Sequence, residues 1–313
     1  MSSLSPSAVS GLDPIEAIAS SQDDAVLAII NGVEGPSYRP IGATMAIFAS
    51  GARAGTLSSG CIESDITLHA LQVLNSGTPA TVIYGRGSPF IDIQLPCGGG
   101  LEILLIPRPN QDVLREVTSR RAARQPCAIQ IDTESGEINV ADDGETGPLG
   151  EIFVVRFDPG VRFLVFGRGP EACTFAALVQ SAGYPNILIS PDQETLEIGA
   201  TSGCETRHIR RPEFPYDLAA DPWTAIILFF HDHDWEPPIL QGALNTHAFY
   251  VGAQGSQRAR DARLLELKAM GVSHGDLSRL YGPVGLIPSA RDAGTLSVSV
   301  LAEVLSKAML IRT

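Results

Sequence analysis

The stretch that most constrains the fold runs from Val161 to Val179. A strand of buried type, Val-Arg-Phe-Leu-Val-Phe, opens directly into Gly167-Arg168-Gly169-Pro170-Glu171-Ala172, and a helical pattern follows through Phe175, Leu178 and Val179 to Gly183. A strand that enters a helix through Gly-x-Gly-x-x-Ala is the dinucleotide fingerprint, with alanine in the third place. Further strands read at 186–190, 204–209, 225–230 and 248–252, and helices at 257–270 and 295–311. That alternation predicts a Rossmann-like, doubly wound parallel sheet. Gly167 and Gly169 are its candidate nucleotide-binding positions. Pro170 removes an N–H that would face a pyrophosphate. Ser190-Pro191-Asp192 puts a serine where a ribose-binding acid is expected, with the acid two residues late. These residues argue for the fold and against tight NAD binding, and leave a role as scaffold or interaction surface open.

At 313 residues the chain is long for one core, so two domains are expected, 1–158 and 159–313. The first half reads as α+β, without a βαβ repeat. A helix over 14–21 is capped by Asp13, a strand covers 25–33, and a hairpin spans 45–57 around Ser50-Gly51. A helix follows Cys61, with Ile66, Leu68, Leu71 and Leu74 apolar and a stop at Gly77. Strands at 81–84 and 101–106, a helix over 112–124 and short strands at 128–132, 138–140 and 152–157 complete it.

Two cysteine–glycine elements stand out there. Gly60-Cys61-Ile62-Glu63-Ser64-Asp65 places a thiol and two carboxylates at a helix entrance, where unpaired N–H groups favour thiolate and anions. Pro96-Cys97-Gly98-Gly99-Gly100 precedes a strand, and successive glycine N–H groups can form an anion nest. A buried structural cysteine and a plain glycine turn are the structural alternatives. In the second half, His231-Asp232-His233-Asp234 ends a strand, but its side chains alternate and three convergent metal ligands are not visible. The run from Gly252 through Gln254-Gly255-Ser256 to Arg258 and Arg260 reads as a second anion site or as an ordinary serine cap.

A net charge of −13 leaves no basic face for nucleic acid. No uninterrupted apolar run reaches the roughly 18 residues of a membrane span, and the N-terminus lacks a signal-peptide pattern. Five cysteines, at 61, 97, 127, 173 and 204, form no C-x-x-C pair, so a reduced, cytoplasmic protein is expected.

Taken together, several stretches resemble the XdhC/CoxI family of accessory proteins for xanthine dehydrogenase and related molybdenum hydroxylases. They are Arg39 to Met45, Gly55-Thr56-Leu57-Ser58-Ser59-Gly60-Cys61-Ile62-Glu63, Pro96-Cys97-Gly98-Gly99, Phe166 to Gly169, His231-Asp232-His233, Tyr250 to Arg258, Gly282 to Leu286, and Ala302-Glu303. The resemblance implies an accessory protein rather than an enzyme, with no catalytic residue. It would bind and protect the molybdenum cofactor, work with a cysteine desulfurase that supplies the terminal sulfur, and deliver the product to a molybdenum hydroxylase apoenzyme. The chain departs from the family pattern at Ser59, at Pro170 and at Ser190-Pro191-Asp192, while the cysteine elements are intact. Residues and resemblance together assign the molybdopterin phosphate to the N–H groups around Gly60 and Cys61 or to the Gly98-Gly99-Gly100 nest. Cys61 or Cys97 would ligate or shield molybdenum, and Glu63 would hold a pterin amine or tune Cys61. An NAD(P)-dependent oxidoreductase using the Rossmann half and a ligand-free docking protein are the competing readings. The C-terminal helix either pairs two copies of the chain in a homodimer or packs on its own sheet.

Overall fold

A computed structural model describes residues 13–85, 98–230 and 234–311. The chain divides into two compact units between Pro159 and Gly160.

In the first unit, α1 (Pro14–Ser20) starts where the Asp13 carboxylate accepts the N–H groups of Ile15 at 3.0 Å and Glu16 at 3.2 Å. Five strands follow: β1 (Ala25–Glu34), β2 (Thr44–Phe48), β3 (Arg53–Gly55), β4 (Ala80–Gly85) and β5 (Gly100–Pro107). They form an antiparallel sheet in the order β3-β2-β1-β5-β4. The helix α2 (Glu63–Ser76) lies between β3 and β4 in sequence.

The middle strand β1 is apolar without interruption from Ala25 to Ile30, where both faces are covered. Val26, Ala28 and Ile30 share a core with Ile66, Ala70, Val73 and Leu74 of α2. Leu27 and Ile29 share another with Ile15, Ile18, and Leu114 and Val117 of α3 (Gln111–Ala122). Burying each such side chain contributes about 1.5–3 kcal/mol. Leu68, expected on the inward face of α2, is 61% exposed; the buried row is Ile66, Ala70, Val73 and Leu74. The helix stops at Gly77, whose left-handed backbone donates to the Val73 carbonyl.

A second antiparallel sheet, β6 (Cys127–Asp132), β7 (Ile138–Ala141), β8 (Gly147–Leu149) and β9 (Ile152–Phe157), has the order β7-β6-β9-β8. Its Ile129, Ile131, Phe153 and Val155 join the core of Leu27 and Ile29. The short β8 arises in an acidic, turn-rich stretch that shows no strand pattern.

The second unit holds a six-stranded sheet, order β12-β11-β10-β13-β14-β15, with every recorded pairing parallel. Its strands are β10 (Arg162–Gly167), β11 (Asn186–Ser190), β12 (Glu205–His208), β13 (Thr224–Phe229), β14 (Tyr250–Ala253) and β15 (Leu280–Tyr281). Helices cover both faces. Phe163 and Val165 pack with Phe175 and Val179 of α4 (Gly169–Ser181) and with Val300 and Val304 of α9 (Ala293–Ala308). Leu164 and Phe166 pack with Ile239 and Leu240 of α6 (Glu236–Leu244). Between these elements lie α5 (Gln193–Thr201), α7 (Gln257–Ala269) and α8 (His274–Ser278). This is the expected doubly wound Rossmann architecture, with its reversal of strand order between β10 and β13.

α9 and the 3-10 turn Met309–Ile311 together span 19 residues with a mean hydropathy of 1.5, long and apolar enough to cross a membrane by length and composition. Here Val300, Val304 and Ala308 are buried against α4 as part of the sheet's own helix layer.

Candidate functional site

The candidate site is built on the loop between β3 and α2. Its entry needs Gly55: the backbone is left-handed at φ +81°, and an added Cβ would stand 2.6 Å from Pro14 Cγ and 3.0 Å from the Thr44 carbonyl. Its exit is Glu63, the first residue of α2, whose side chain curls back over the loop. Oε1 accepts Thr56 Oγ1 at 2.5 Å, Leu57 N at 3.0 Å and Ser58 N at 2.8 Å. Oε2 accepts Ser58 Oγ at 2.8 Å and Ile62 N at 3.2 Å. The Thr56 hydroxyl oxygen in turn accepts Ser59 N at 3.0 Å.

Glu63 is 5% exposed. Burial alone would push its carboxyl up, but the hydrogen bonds from Thr56 and Ser58 outweigh that and hold it at about 2. The carboxylate is therefore charged and saturated by its own loop. Holding a pterin amine would mean giving up one of these bonds.

This clamp projects the loop tip outward. Ser59 and Gly60 both have positive φ, +62° and +104°, and Cys61 is exposed. By contrast Cys127, Cys173 and Cys204 are buried, and burial pushes each thiol up. Beside Cys61 lies a cleft of about 310 Å³ lined by Arg53, Thr56, Gly60, Glu63 and Ser64 among others. The Arg53 guanidinium makes no ion pair among the described residues, and the Gly60 N–H meets no acceptor among them. A cation, an open amide and the first turn of α2 thus border one recess. Sequence reasoning missed Arg53, which carries no signal beyond its place in a hairpin arm.

A serine held at φ +62° is strained, because its Cβ crowds the backbone there. Ser59→Gly is expected to raise the loop's local stability by about 1 kcal/mol. Slower amide exchange across the loop checks this, and equal or faster exchange counts against it.

The glycine stretch before β5 is placed at the same end of the sheet. β1 pairs Glu34 with Gly100, and β4 pairs Gly85 with Gly100. β3 ends at Gly55 opposite Met45, level with Ala28 in the first half of β1, and runs toward the Glu34 end. The Tyr84 hydroxyl donates to Asp65 Oδ2 in the first turn of α2 at 2.7 Å. The loop of Cys61 and the residues Gly98 to Gly100 therefore leave the sheet in the same direction. Gly99 is explained by the chain itself, since a Cβ there would lie 2.1 Å from the Pro36 carbonyl oxygen. Gly98 has φ +72°, is exposed and has open space around it. Cys97 lies outside the described residues.

In the second unit Gly167 is needed for close packing: a Cβ would lie 2.7 Å from the Phe229 carbonyl oxygen and 2.9 Å from Ala172 Cβ. Gly169 has φ +76°, and its N–H donates to Thr195 Oγ1 at 3.0 Å. Asp192, the acid that stands two residues late, caps α5 by accepting Thr195 N at 2.9 Å and Thr195 Oγ1 at 2.5 Å. The fingerprint turn is thus closed on the protein itself. Ser256 Oγ accepts Ala259 N at 3.2 Å as the cap of α7. The arginine this helix buries is Arg263, which pairs with Glu236 and donates to the Gln254 carbonyl at 2.7 Å, not Arg258 or Arg260. His231, Asp232 and His233 lie outside the described residues. Among the described residues no group of three metal-ligating side chains converges.

The molecule is thus an antiparallel unit with one exposed thiol among the described residues, followed by a Rossmann unit in which the Gly169 N–H is bonded to Thr195. Residues 163–304 match the XdhC Rossmann domain, and residues 18–85 match the XdhC and CoxI family. The molybdenum cofactor insertion chaperone PaoD of Escherichia coli (strain K12) is 35% identical over 295 residues, covering 93% of this chain and 86% of that protein. A probable xanthine dehydrogenase subunit of Bacillus subtilis (strain 168) is 25% identical over 326 residues, covering 93% and 95%. A crystal structure of a xanthine dehydrogenase from Bacillus halodurans shares the fold, with a TM-score of 0.77 at 22% identity over 96% of this chain and 95% of that one. The chain belongs to the XdhC/CoxI family.

Proposed function

We propose that this protein is an insertion chaperone for the molybdenum cofactor, which it holds in the first unit and passes to a molybdenum hydroxylase apoenzyme. The observation that carries the reading is the exposed Cys61 thiol on a braced loop, next in the chain to Gly60, which lines a cleft together with Arg53. The similarity to PaoD over 93% of this chain supports it. The residues suit such a cargo. A soft sulfur donor fits a molybdenum centre, and an arginine with open N–H groups fits a phosphate. Cys61 and Cys97 are the candidate sulfur donors. Gly60 and Gly98 supply open backbone, Gly99 lets the chain pass close to Pro36 beside them, and Glu63 fixes the geometry of the loop. An exposed site on a rigid scaffold also suits a carrier that must release what it holds. A cysteine desulfurase is the partner that would supply the terminal sulfur.

Purification from a host that makes the cofactor, under anaerobic conditions, followed by a bound-pterin assay, tests this. Stoichiometric or near-stoichiometric pterin is expected. Only background pterin, together with no transfer to a molybdenum hydroxylase apoenzyme, would overturn the reading.

A further inference from the structure

The second unit has a basic recess on the carboxyl side of its parallel sheet, the side on which open α/β sheets bind ligands, beyond the outermost strand β12 and away from the β10–β13 reversal. It has a volume of about 280 Å³ beyond the end of β12, and its lining includes Arg207, Arg210, Arg211, Glu213, Tyr216 and Asp217. Arg207 is engaged by Asp217 at 2.5 Å. Arg210 and Arg211 are exposed and have no ion pair among the described residues. Three arginines against Glu213 and Asp217 leave a local charge of +1 in a chain of net charge −13.

The neighbouring turn explains which anion suits it. His208 Nε2 lies 3.2 Å from the Pro191 carbonyl and ties the end of β12 to the turn after β11. In that turn Ser190 is buried and Asp192 is committed to capping α5. Asp192 is fixed as that cap through Oδ2, and the Ile209 N–H donates to the Ser190 carbonyl at 3.1 Å, so Arg210 and Arg211 follow directly on the strand end beside this turn. In this fold an acid at that position selects an unmodified ribose, whereas arginine selects a phosphorylated one. The recess is below the usual range for a drug-sized ligand, so it suits a phosphate with its sugar rather than a whole dinucleotide. Tyr216 is fully exposed at 101% and offers an aromatic face on which a base can stack.

We propose that this recess binds a mononucleotide, with its phosphomonoester on the Arg210 and Arg211 guanidinium groups and its base against Tyr216. This site is independent of the cofactor-handling reading of the first unit. Titration calorimetry on the full chain, with adenosine monophosphate and cytidine monophosphate as probes, tests it. At least one is expected to bind saturably, with adenosine and inorganic phosphate each at least about tenfold weaker. R210A/R211A is expected to weaken binding at least about tenfold, as loss of charge-assisted bonds does. R210K/R211K, which keeps the charge without the planar fork, is expected to fall between the two. Both side chains are exposed, so thermal melting should be unchanged. No saturable binding of either nucleotide, equal affinity in R210A/R211A, or phosphate binding as tightly as nucleotide (an adventitious ion only) would overturn the proposal.

Discussion

Glu63→Gln is expected to destabilise the Cys61 loop by about 3 kcal/mol, on the scale of the gap between a carboxyl at about 2 and its ordinary value of 4.5. The substituted amide keeps one acceptor oxygen but turns an NH2 group toward Leu57 N, Ser58 N or the hydroxyls. Buried donors then face a donor. The sign of the pH dependence follows from the direction of the shift. Because the folded carboxyl lies below its unfolded value, its stabilisation is complete above about pH 4.5 and is lost as pH falls toward 2. Hydrogen exchange of residues 56–62 measures both effects. Protection should fall in the variant at neutral pH. The wild type should lose protection between pH 4.5 and 2, and the variant should show no such limb. Equal protection in the two proteins across that range would sink the clamp.

Cys61→Ser is expected to reduce bound pterin by at least about tenfold, the lower end of the losses seen when a metal's surroundings are altered. The thiol is exposed and bonds nothing that holds the loop, so the melting curve should not move. That separates loss of a donor from loss of the fold, which Glu63→Gln cannot do alone. Full loading in Cys61→Ser, with Cys97→Ser also fully loaded, would remove thiol ligation from the mechanism.

Elements whose signals are local were legible. Asp13 before Pro14 announced α1, the uninterrupted run from Ala25 announced a strand covered on both faces, and Gly77 announced the end of α2. The strand–glycine–helix junction at 161–172 announced the Rossmann unit. What stayed hidden depends on what the chain brings together. Glu63 next to a thiol reads as a ligand, because nothing in the letters shows it turning back on Thr56 and Ser58. Gly99 reads as open backbone, but its neighbour is the carbonyl of Pro36. Asp192 reads as a displaced ribose acid, and that hid α5, which it caps. α6 is absent from the sequence reading; it begins at Glu236 with Pro237 and Pro238 in its first turn, where proline fits. Leu68 fits an apolar spacing, yet the sheet meets the adjacent row of α2 instead.

The bonds that shape the loop around Cys61 all arise between Thr56 and Glu63. The hydrogen-bond framework that presents the thiol is therefore a short-range property, encoded in a single cassette, while Leu57 and Ile62 anchor its ends in the core of β1 and α2. Transplanted onto another strand-to-helix junction with a glycine at its entry, that cassette should carry its outward-facing sulfur with it.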